Sequence, residues 1–145
     1  MSDSAAPEGY QTVIPYLVLD DPEAGIEFME NVFEGRLTER VLGKEGRVQH
    51  AEVTIGDTVI MIGVAREGVQ ALPAMLYVYC ADTDATYRRA LEAGATSVME
   101  PADQFYGDRS AGVRDSNGIS WWMGTRKEEV SREELQRRAL ERENV

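Results

Sequence analysis

The sequence predicts an α+β fold made of two βαβββ modules, whose strands form a curved mixed sheet with the helices outside. Two observations lead to this prediction. Residues 16–21 (YLVLDD) and 77–82 (YVYCAD) lie 61 residues apart, and each leads directly into a helical pattern. Turn residues recur at matching places in the two halves, at 56–57 (GD) and 115–118 (DSNG). Because each helix covers one face of its sheet, the remaining faces are expected to line a concave interior.

The first module begins with an apolar run of strand length at residues 13–19. Asp21 then suits a helix cap, and Pro22 suits the first helical position. Apolar residues follow at helical spacing as far as Gly35, which we expect at the position just after the helix. The pattern next predicts three strands, at 36–43, 48–55 and 58–64.

The second module repeats this order from Ala74 onwards. The pattern predicts a strand at 75–80, followed by a helix that is capped by Asp82 and ends at Gly94. A further strand is predicted at 96–100. The second module therefore begins with a strand, a helix and a further strand, in the same order as the first module.

A β-hairpin closes the second module around the turn at 115–118. Successive side chains of a strand point to opposite faces of the sheet. Trp121 is therefore expected to pack beneath the helix, and Trp122 to face the concave side together with Ser120.

The modules account for most of the chain. We predict a flexible tail at residues 1–10 and a single domain at 11–126, with modules at about 11–65 and about 73–126. Residues 127–145 are rich in Glu and Arg, which predicts a charged C-terminal helix.

Composition excludes several classes of partner. The formal net charge of −11 argues against a nucleic-acid-binding face, which needs clustered Lys and Arg. Cys80 is the only cysteine, so neither an intrachain disulfide nor a thiolate metal cluster is expected. No apolar run reaches membrane-spanning length, and the first residues lack the pattern of a signal peptide. We therefore expect a cytoplasmic protein with no nucleic-acid or membrane partner.

Five segments carry a resemblance to a known family. They are 13–17 (VIPYL), 50–57 (HAEVTIGD), 104–109 (QFYGDR), 114–122 (RDSNGISWW) and 127–134 (KEEVSREE). They resemble the PhnB-like branch of the glyoxalase/bleomycin-resistance proteins, which is part of the vicinal oxygen chelate superfamily. Paired βαβββ modules are the layout of that superfamily, and the resemblance covers about residues 12–137. It implies a homodimer, since related proteins commonly dimerise.

The resemblance also implies where a metal would be bound. Glyoxalase-like members hold the metal with His or Glu on the first and last strands of the two modules. The aligned positions in this sequence are Ile14, Met61, Met75 and Trp122. None of these side chains binds a hard divalent metal, because a thioether suits soft ions such as Cu(I). We therefore expect a metal-independent protein that needs no cofactor and lacks glyoxalase I chemistry.

The same alignment predicts a ligand pocket. Strand alternation turns the neighbours of the four aligned positions toward the concave side as well. The expected lining is apolar and aromatic, which suits a flat organic ligand, and it comprises Ile14, Tyr16, Met61, Met75, Tyr77, Tyr79, Ser120 and Trp122. The alternative is that these residues fill the interior as ordinary core.

The strand at 48–55 supplies a polar pair. Ala51 and Val53 are expected to face the helix, which turns His50 and Glu52 toward the concave side. An imidazole beside a carboxylate can act as a general base, because the carboxylate orients the ring. The alternative is a structural histidine whose hydrogen bonds are satisfied.

Residues 106–109 (YGDR) also have two interpretations. In the functional one, Arg109 binds an anionic group of the ligand and Tyr106 stacks on it. In the structural one, Asp108 pairs with Arg109 or caps a loop amide.

These patterns favour a metal-independent protein that binds a small aromatic or apolar molecule in the concave sheet, as bleomycin-resistance proteins sequester drugs. Two alternatives stay open. The first is a lyase or isomerase without a metal, in which His50 and Glu52 act as acid and base and Arg109 anchors an anion. The second is a structural dimer with a filled cavity and no ligand.

Overall fold

A computed structural model of the chain describes residues 5–143 and confirms the α+β fold with two βαβββ modules. The elements of the first module are β1 (Tyr16–Leu19), α1 (Pro22–Phe33), β2 (Arg36–Leu42), β3 (Val48–Ile55) and β4 (Thr58–Val64). The elements of the second are β5 (Met75–Tyr79), α2 (Thr83–Glu92), β6 (Thr96–Asp103), β7 (Asp108–Arg114) and β8 (Ser120–Arg126). A last helix, α3, spans Arg132–Glu143.

The described chain divides into two compact units, which nearly coincide with the modules. The first unit comprises the described chain up to Ala74 together with the loop Asp115–Ile119. The second comprises Met75–Arg114 and the chain from Ser120 to the last described residue. The loop of the second hairpin thus belongs to the first unit.

In the first unit the strands lie in the order β1-β4-β3-β2. β1 runs parallel to β4 and the other pairs are antiparallel, so the sheet is mixed. The face toward α1 carries Leu17, Ala51, Val53 and Ile62, all of which are buried. Burial of this apolar face supplies the main stabilisation of the unit.

Helix α1 begins as the sequence predicts. The Asp21 carboxylate accepts a hydrogen bond from the backbone N of Ala24 at 3.1 Å, and Pro22 occupies the first turn. Gly35 follows the helix, but the left-handed residue is Glu34, with φ 57°. Gly35 is needed for another reason, since a Cβ there would lie 2.8 Å from Val53 Cγ1.

The second unit repeats this design. Its strands lie in the order β5-β8-β7-β6, again with a parallel pair, β5 and β8. The Asp82 carboxylate caps α2 by accepting from the backbone N of Ala85 at 3.1 Å. Helix α2 covers the face that carries the buried Val113, Trp121 and Met123.

The loop Asp115–Ile119 is anchored at the start of α1. The Asn117 side chain accepts from the backbone N of Asp21 at 3.0 Å and donates to the backbone O of Asp21 at 2.9 Å. The Asp115 carboxylate shapes the loop by accepting from the backbone N of Asn117 and of Ile119, at 2.9 and 3.0 Å. The turn residues predicted from sequence therefore have a second role, which is to hold α1.

Helix α3 packs against the loop before β7 within the second unit. Arg138 donates to the backbone O of Phe105 at 2.9 Å, and the Arg142 guanidinium lies 4.3 Å from the centre of the Phe105 ring. Ion pairs to Arg137 and Arg138 lower the pKa of Glu134 to about 2. The helix is thus fixed mainly by charged contacts.

The predicted division into tail, domain and terminal helix stays a prediction. Residues 1–4 of the predicted tail and residues 144–145 of the predicted terminal segment lie outside the described residues. Among residues 5–143, no helix combines the length and apolarity needed to cross a membrane.

Candidate functional site

Each sheet has one face toward its helix and one face without a helix. We call the latter the first and the second helix-free face. Strand register places Tyr16, Met61 and Glu52 side by side on the first one, with His50 in the next row. On the second, register places Met75 beside Ser120 and Tyr77 beside Trp122. The faces follow the alternation expected from sequence.

A chain of hydrogen bonds crosses the first helix-free face. The Tyr10 hydroxyl donates to Glu52 Oε1 at 2.5 Å, and His50 Nε2 lies 3.1 Å from Glu52 Oε2. The Tyr16 hydroxyl lies 3.4 Å from His50 Nδ1, at the long end of hydrogen bonding. The structure therefore brings His50, Glu52 and Tyr16 together, with Tyr10 added from outside the sheet.

The Glu52 side chain is only 7% exposed, and its hydrogen bonds favour the ionised form. Burial by itself raises the pKa of this carboxyl, and the hydrogen bonds from Tyr10 and His50 outweigh that effect, so the net pKa is lowered. In the neutral ring, the carboxylate acceptor favours the tautomer with its proton on Nε2 of His50, and Nδ1 is then the acceptor toward the Tyr16 hydroxyl. This arrangement is chemically that of an oriented base.

The second helix-free face exposes a row of large side chains. Met75, Tyr77 and Tyr79 alternate along β5, and they are 66%, 39% and 60% exposed. Trp122 lies beside Tyr77 and is half-buried, whereas Trp121 is buried on the side of α2. Met75, Tyr77 and Tyr79 are therefore not part of the buried core.

Glycines allow the aromatic rings to lie flat on the sheet. A Cβ at Gly112 would stand 2.9 Å from the Trp122 ring, and one at Gly124 would collide with the Tyr77 hydroxyl. The first unit repeats the arrangement, since a Cβ at Gly63 would stand 2.8 Å from the Tyr16 hydroxyl. The pairs Tyr16–Gly63 and Tyr77–Gly124 share the 61-residue spacing of the modules. That spacing was the signal from which these glycines could have been found.

Asp108 is the polar centre of the second helix-free face. It is 1% exposed, and its Oδ2 accepts from the hydroxyls of Tyr77 and Tyr79, both at 2.9 Å. Burial, followed by the neighbouring Tyr106 and Asp108, raises the pKa of Tyr77, which keeps it protonated. Arg126 Nε lies 2.7 Å from Oδ1, but no described group meets hydrogen-bond geometry at that oxygen. The contact is a close ion pair that is poorly aligned.

The structure separates Tyr106, in the loop before β7, from Arg109, the second residue of β7. The Tyr106 hydroxyl lies 3.4 Å from Ser110 Oγ, which joins it to the second helix-free face. Arg109 is turned to the α2 side, where it donates to Asp84 at 2.7 and 3.0 Å and to Asp103 at 3.1 Å. Arg109 is therefore not brought to the face, and Asp108 pairs with Arg126 instead of Arg109 because strand neighbours point to opposite sides.

The four positions aligned with the family metal site do not fit a metal. Ile14 precedes β1, Met61 belongs to the first helix-free face, and Met75 and Trp122 belong to the second. Their side chains offer thioethers, an alkyl group and an indole, none of which binds a hard divalent ion. Across residues 5–143, no group of three or more His, Cys, Asp or Glu side chains is placed to hold a metal ion.

Comparison with known proteins points to one family. A model of the Glyoxalase/Bleomycin resistance protein/Dioxygenase superfamily matches residues 11–123. An uncharacterized protein of Mycobacterium bovis is 32% identical over an alignment of 133 residues, which covers 84% of this chain and 88% of that protein.

Solved structures show the same fold. TioX from Micromonospora sp. ML1 matches with a TM-score of 0.68 and 25% identity, over 79% of this chain and 97% of that one. TnmS3, an antibiotic binding protein from Streptomyces sp. CB03234, matches with a TM-score of 0.65 and 20% identity, over 86% of this chain and 99% of that one. A PhnB protein from Bacillus cereus matches with a TM-score of 0.63 and 18% identity, over 79% of this chain and 99% of that one.

Proposed function

This chain belongs to the Glyoxalase/Bleomycin resistance protein/Dioxygenase superfamily, and from that premise we propose that it binds a small aromatic or apolar molecule without a metal. The family predicted from the sequence is confirmed, and a PhnB protein is among the structures that share its fold. The proposed site is the second helix-free face, and the proposed role is sequestration of the ligand without chemistry.

The exposed row on β5 is the observation that carries this proposal. Side chains that fill a core are buried, whereas Met75 and Tyr79 keep 66% and 60% of their surface exposed. Large apolar side chains that are grouped on an exposed face often mark a site for binding a ligand or a partner. Trp122 adds a ring that lies flat over Gly112, which favours stacking of a planar ligand.

Relatives support the same class of function. TnmS3 is an antibiotic binding protein, and a fosfomycin resistance protein from Mesorhizobium loti shares the fold with a TM-score of 0.58. The absence of metal-ligating side chains at positions 14, 61, 75 and 122 supports binding without a metal. We propose that the ligand is held by stacking and burial.

The test uses the two adjacent tryptophans. A library of antibiotics and metabolites is screened by thermal shift, because a ligand that binds the native state raises the melting temperature. For any planar hit, Trp122→Ala should weaken binding by about 1–3 kcal/mol, the range for losing a stacking contact and its buried area.

Trp121→Phe is the matched control, since Trp121 is buried on the α2 side and should not meet the ligand. Its affinity should stay near that of the wild type, its remaining indole should still report binding by fluorescence, and EDTA should have no effect. If affinity followed Trp121 and not Trp122, or required an added metal, the proposed site would be wrong.

The hydrogen-bonded pair His50–Glu52 favours a second candidate, a lyase or isomerase that needs no metal. Its base would be His50, oriented by Glu52 at 3.1 Å, with the exposed Tyr16 beside Nδ1. Arg109 has no part in this candidate, because Asp84 and Asp103 engage it elsewhere. Loss of turnover in His50→Ala with binding retained would support an enzyme; retained turnover would exclude His50 as the base.

A further inference from the structure

We propose that the second helix-free face selects ligands carrying an ammonium, amidinium or guanidinium group, which takes the place of Arg126 against Asp108. This inference rests on the proposed function and adds the charge of the ligand to it. The basis for the inference is the set of hydrogen bonds and the ion pair that the polar atoms of that face make with Asp108.

Apart from Arg126, the polar groups that contact Asp108 directly act toward a ligand as acceptors. The hydroxyls of Tyr77 and Tyr79 both donate their hydrogens to Asp108 Oδ2, so each has only lone pairs left for other partners. Asp108 Oδ1 is an acceptor without a hydrogen bond from any described group. Two tyrosine rings and the Trp122 ring add electron-rich faces, which attract cations. Such a set of groups is complementary to a donor with positive charge.

Arg126 occupies this position in the structure, but loosely. Its Nε lies 2.7 Å from Asp108 Oδ1 without good alignment, and its Nη2 donates to the Tyr79 hydroxyl at 3.4 Å. The nearest other carboxylate, Glu129, is 3.7 Å from Nη1 and is itself well exposed. Arg126 is the last residue of β8, and 41% of its side chain is exposed. The guanidinium can therefore turn into water when another cation takes over its contact with Asp108.

A neutral ligand cannot take this place. Moving Arg126 away leaves the buried Asp108 carboxylate without a positive partner, which is unfavourable unless another cation replaces it. A ligand that carries its own cation supplies that partner and also places its aromatic part on Trp122. The net charge of −11 further favours the approach of cations over anions.

The opposite proposal, an anionic ligand bound by Arg126, fits less well. Arg126 is flanked by the carboxylates of Asp108 and Glu129, at 2.7 and 3.7 Å. An anion at the guanidinium would lie close to both, and like charges repel. The hydroxyls of Tyr77 and Tyr79 have no hydrogen to offer it, because both donate to Asp108.

The experiment compares two probes of nearly the same shape by calorimetry at neutral pH. One is 9-aminoacridine, which is a planar cation there, and the other is acridine, which is neutral there. Wild type, Arg126→Ala and Asp108→Asn are measured, and circular dichroism confirms that each variant is folded. Arg132→Ala, an exposed arginine in α3, controls for the general change in charge.

We expect the wild type to bind the cation about tenfold more tightly than the neutral probe. Arg126→Ala should strengthen binding of the cation at least fivefold and leave the neutral probe unchanged, while Asp108→Asn should remove the preference. Arg132→Ala should behave like the wild type.

The outcomes separate this inference from the proposed function. If both probes bound equally well, or if Arg126→Ala weakened binding of the cation, the cation site would be wrong and the stacking face would stand. If neither probe bound to the wild type or to Arg126→Ala, the stacking face would be wrong as well, and the inference would fall with it.

Discussion

At Glu52 two effects act on one carboxyl in opposite directions. Burial raises its pKa, while hydrogen bonds from Tyr10 and His50 lower it more. The folded protein therefore holds Glu52 ionised more strongly than the unfolded chain does. A group with a lowered folded pKa contributes stability above its unfolded pKa, and that contribution is lost as the pH falls through the folded pKa.

Glu52→Gln is expected to reduce stability by about 1–3 kcal/mol at pH 7, because it removes charged hydrogen bonds from a buried site. The difference in the free energy of unfolding between the variant and the wild type should stay constant down to about pH 5. It should shrink below the ordinary glutamate pKa of 4.5. Urea unfolding between pH 3 and pH 7 measures it. Glu100→Gln, at an exposed position of β6, is the control. A difference that grew on acidification would contradict the assignment.

At this scale the sequence predicts which side a residue faces better than which partner it finds. Alternation correctly placed His50 and Glu52 on one face and Trp121 and Trp122 on opposite faces. It could not identify Arg126 as the partner of Asp108, because that contact depends on the register between β7 and β8. Local proximity suggested Arg109, yet an adjacent strand residue points to the other side of the sheet.

At the scale of elements, boundaries are predicted well where turn residues enclose a strand. β3 and β4 match their predicted ranges to the residue, because Gly56 and Asp57 stand between them. β1 starts only at Tyr16, since Pro15 has no N–H for a ladder, although its carbonyl accepts from Met61 N. β6 continues through Pro101 to Asp103, which is tolerated because β6 is an edge strand.

Asn117 joins two elements that are distant in sequence, and we expect Asn117→Ala to reduce stability by about 1–3 kcal/mol. The substitution removes the two hydrogen bonds to the backbone of Asp21, each of which contributes about 0.5–1.5 kcal/mol. The bond from the backbone N of Asn117 to Asp115 is kept, so the turn itself should persist. Denaturant midpoints measure the loss. Ser116→Ala, at the exposed neighbour, should be nearly neutral; equal losses in both variants would show that the loop does not anchor α1 through Asn117.

At the scale of the whole molecule, each sheet within residues 5–143 has two edge strands. β1 and β2 end the strand order of the first sheet, and β5 and β6 end that of the second. β6 carries Pro101, which interferes with pairing, whereas β2 has no proline and exposes Val41 and Leu42. A second copy of the chain that covered β2 would satisfy its backbone groups and remove these side chains from water. We therefore propose that the β2 edge contributes to the homodimer expected from the family.

Sedimentation at micromolar concentration should give twice the chain mass of 16.1 kDa for the wild type. Leu42→Lys places a charge on the proposed edge and should shift the equilibrium toward monomer, because an exposed lysine opposes pairing of edge strands. Trp122→Ala is the matched control, since it alters the second helix-free face and leaves β2 untouched; it should remain a dimer. If Trp122→Ala dissociated the protein instead, the aromatic face would be an interface between copies and would be unavailable to a ligand in the dimer. A wild-type monomer at these concentrations would exclude the homodimer altogether.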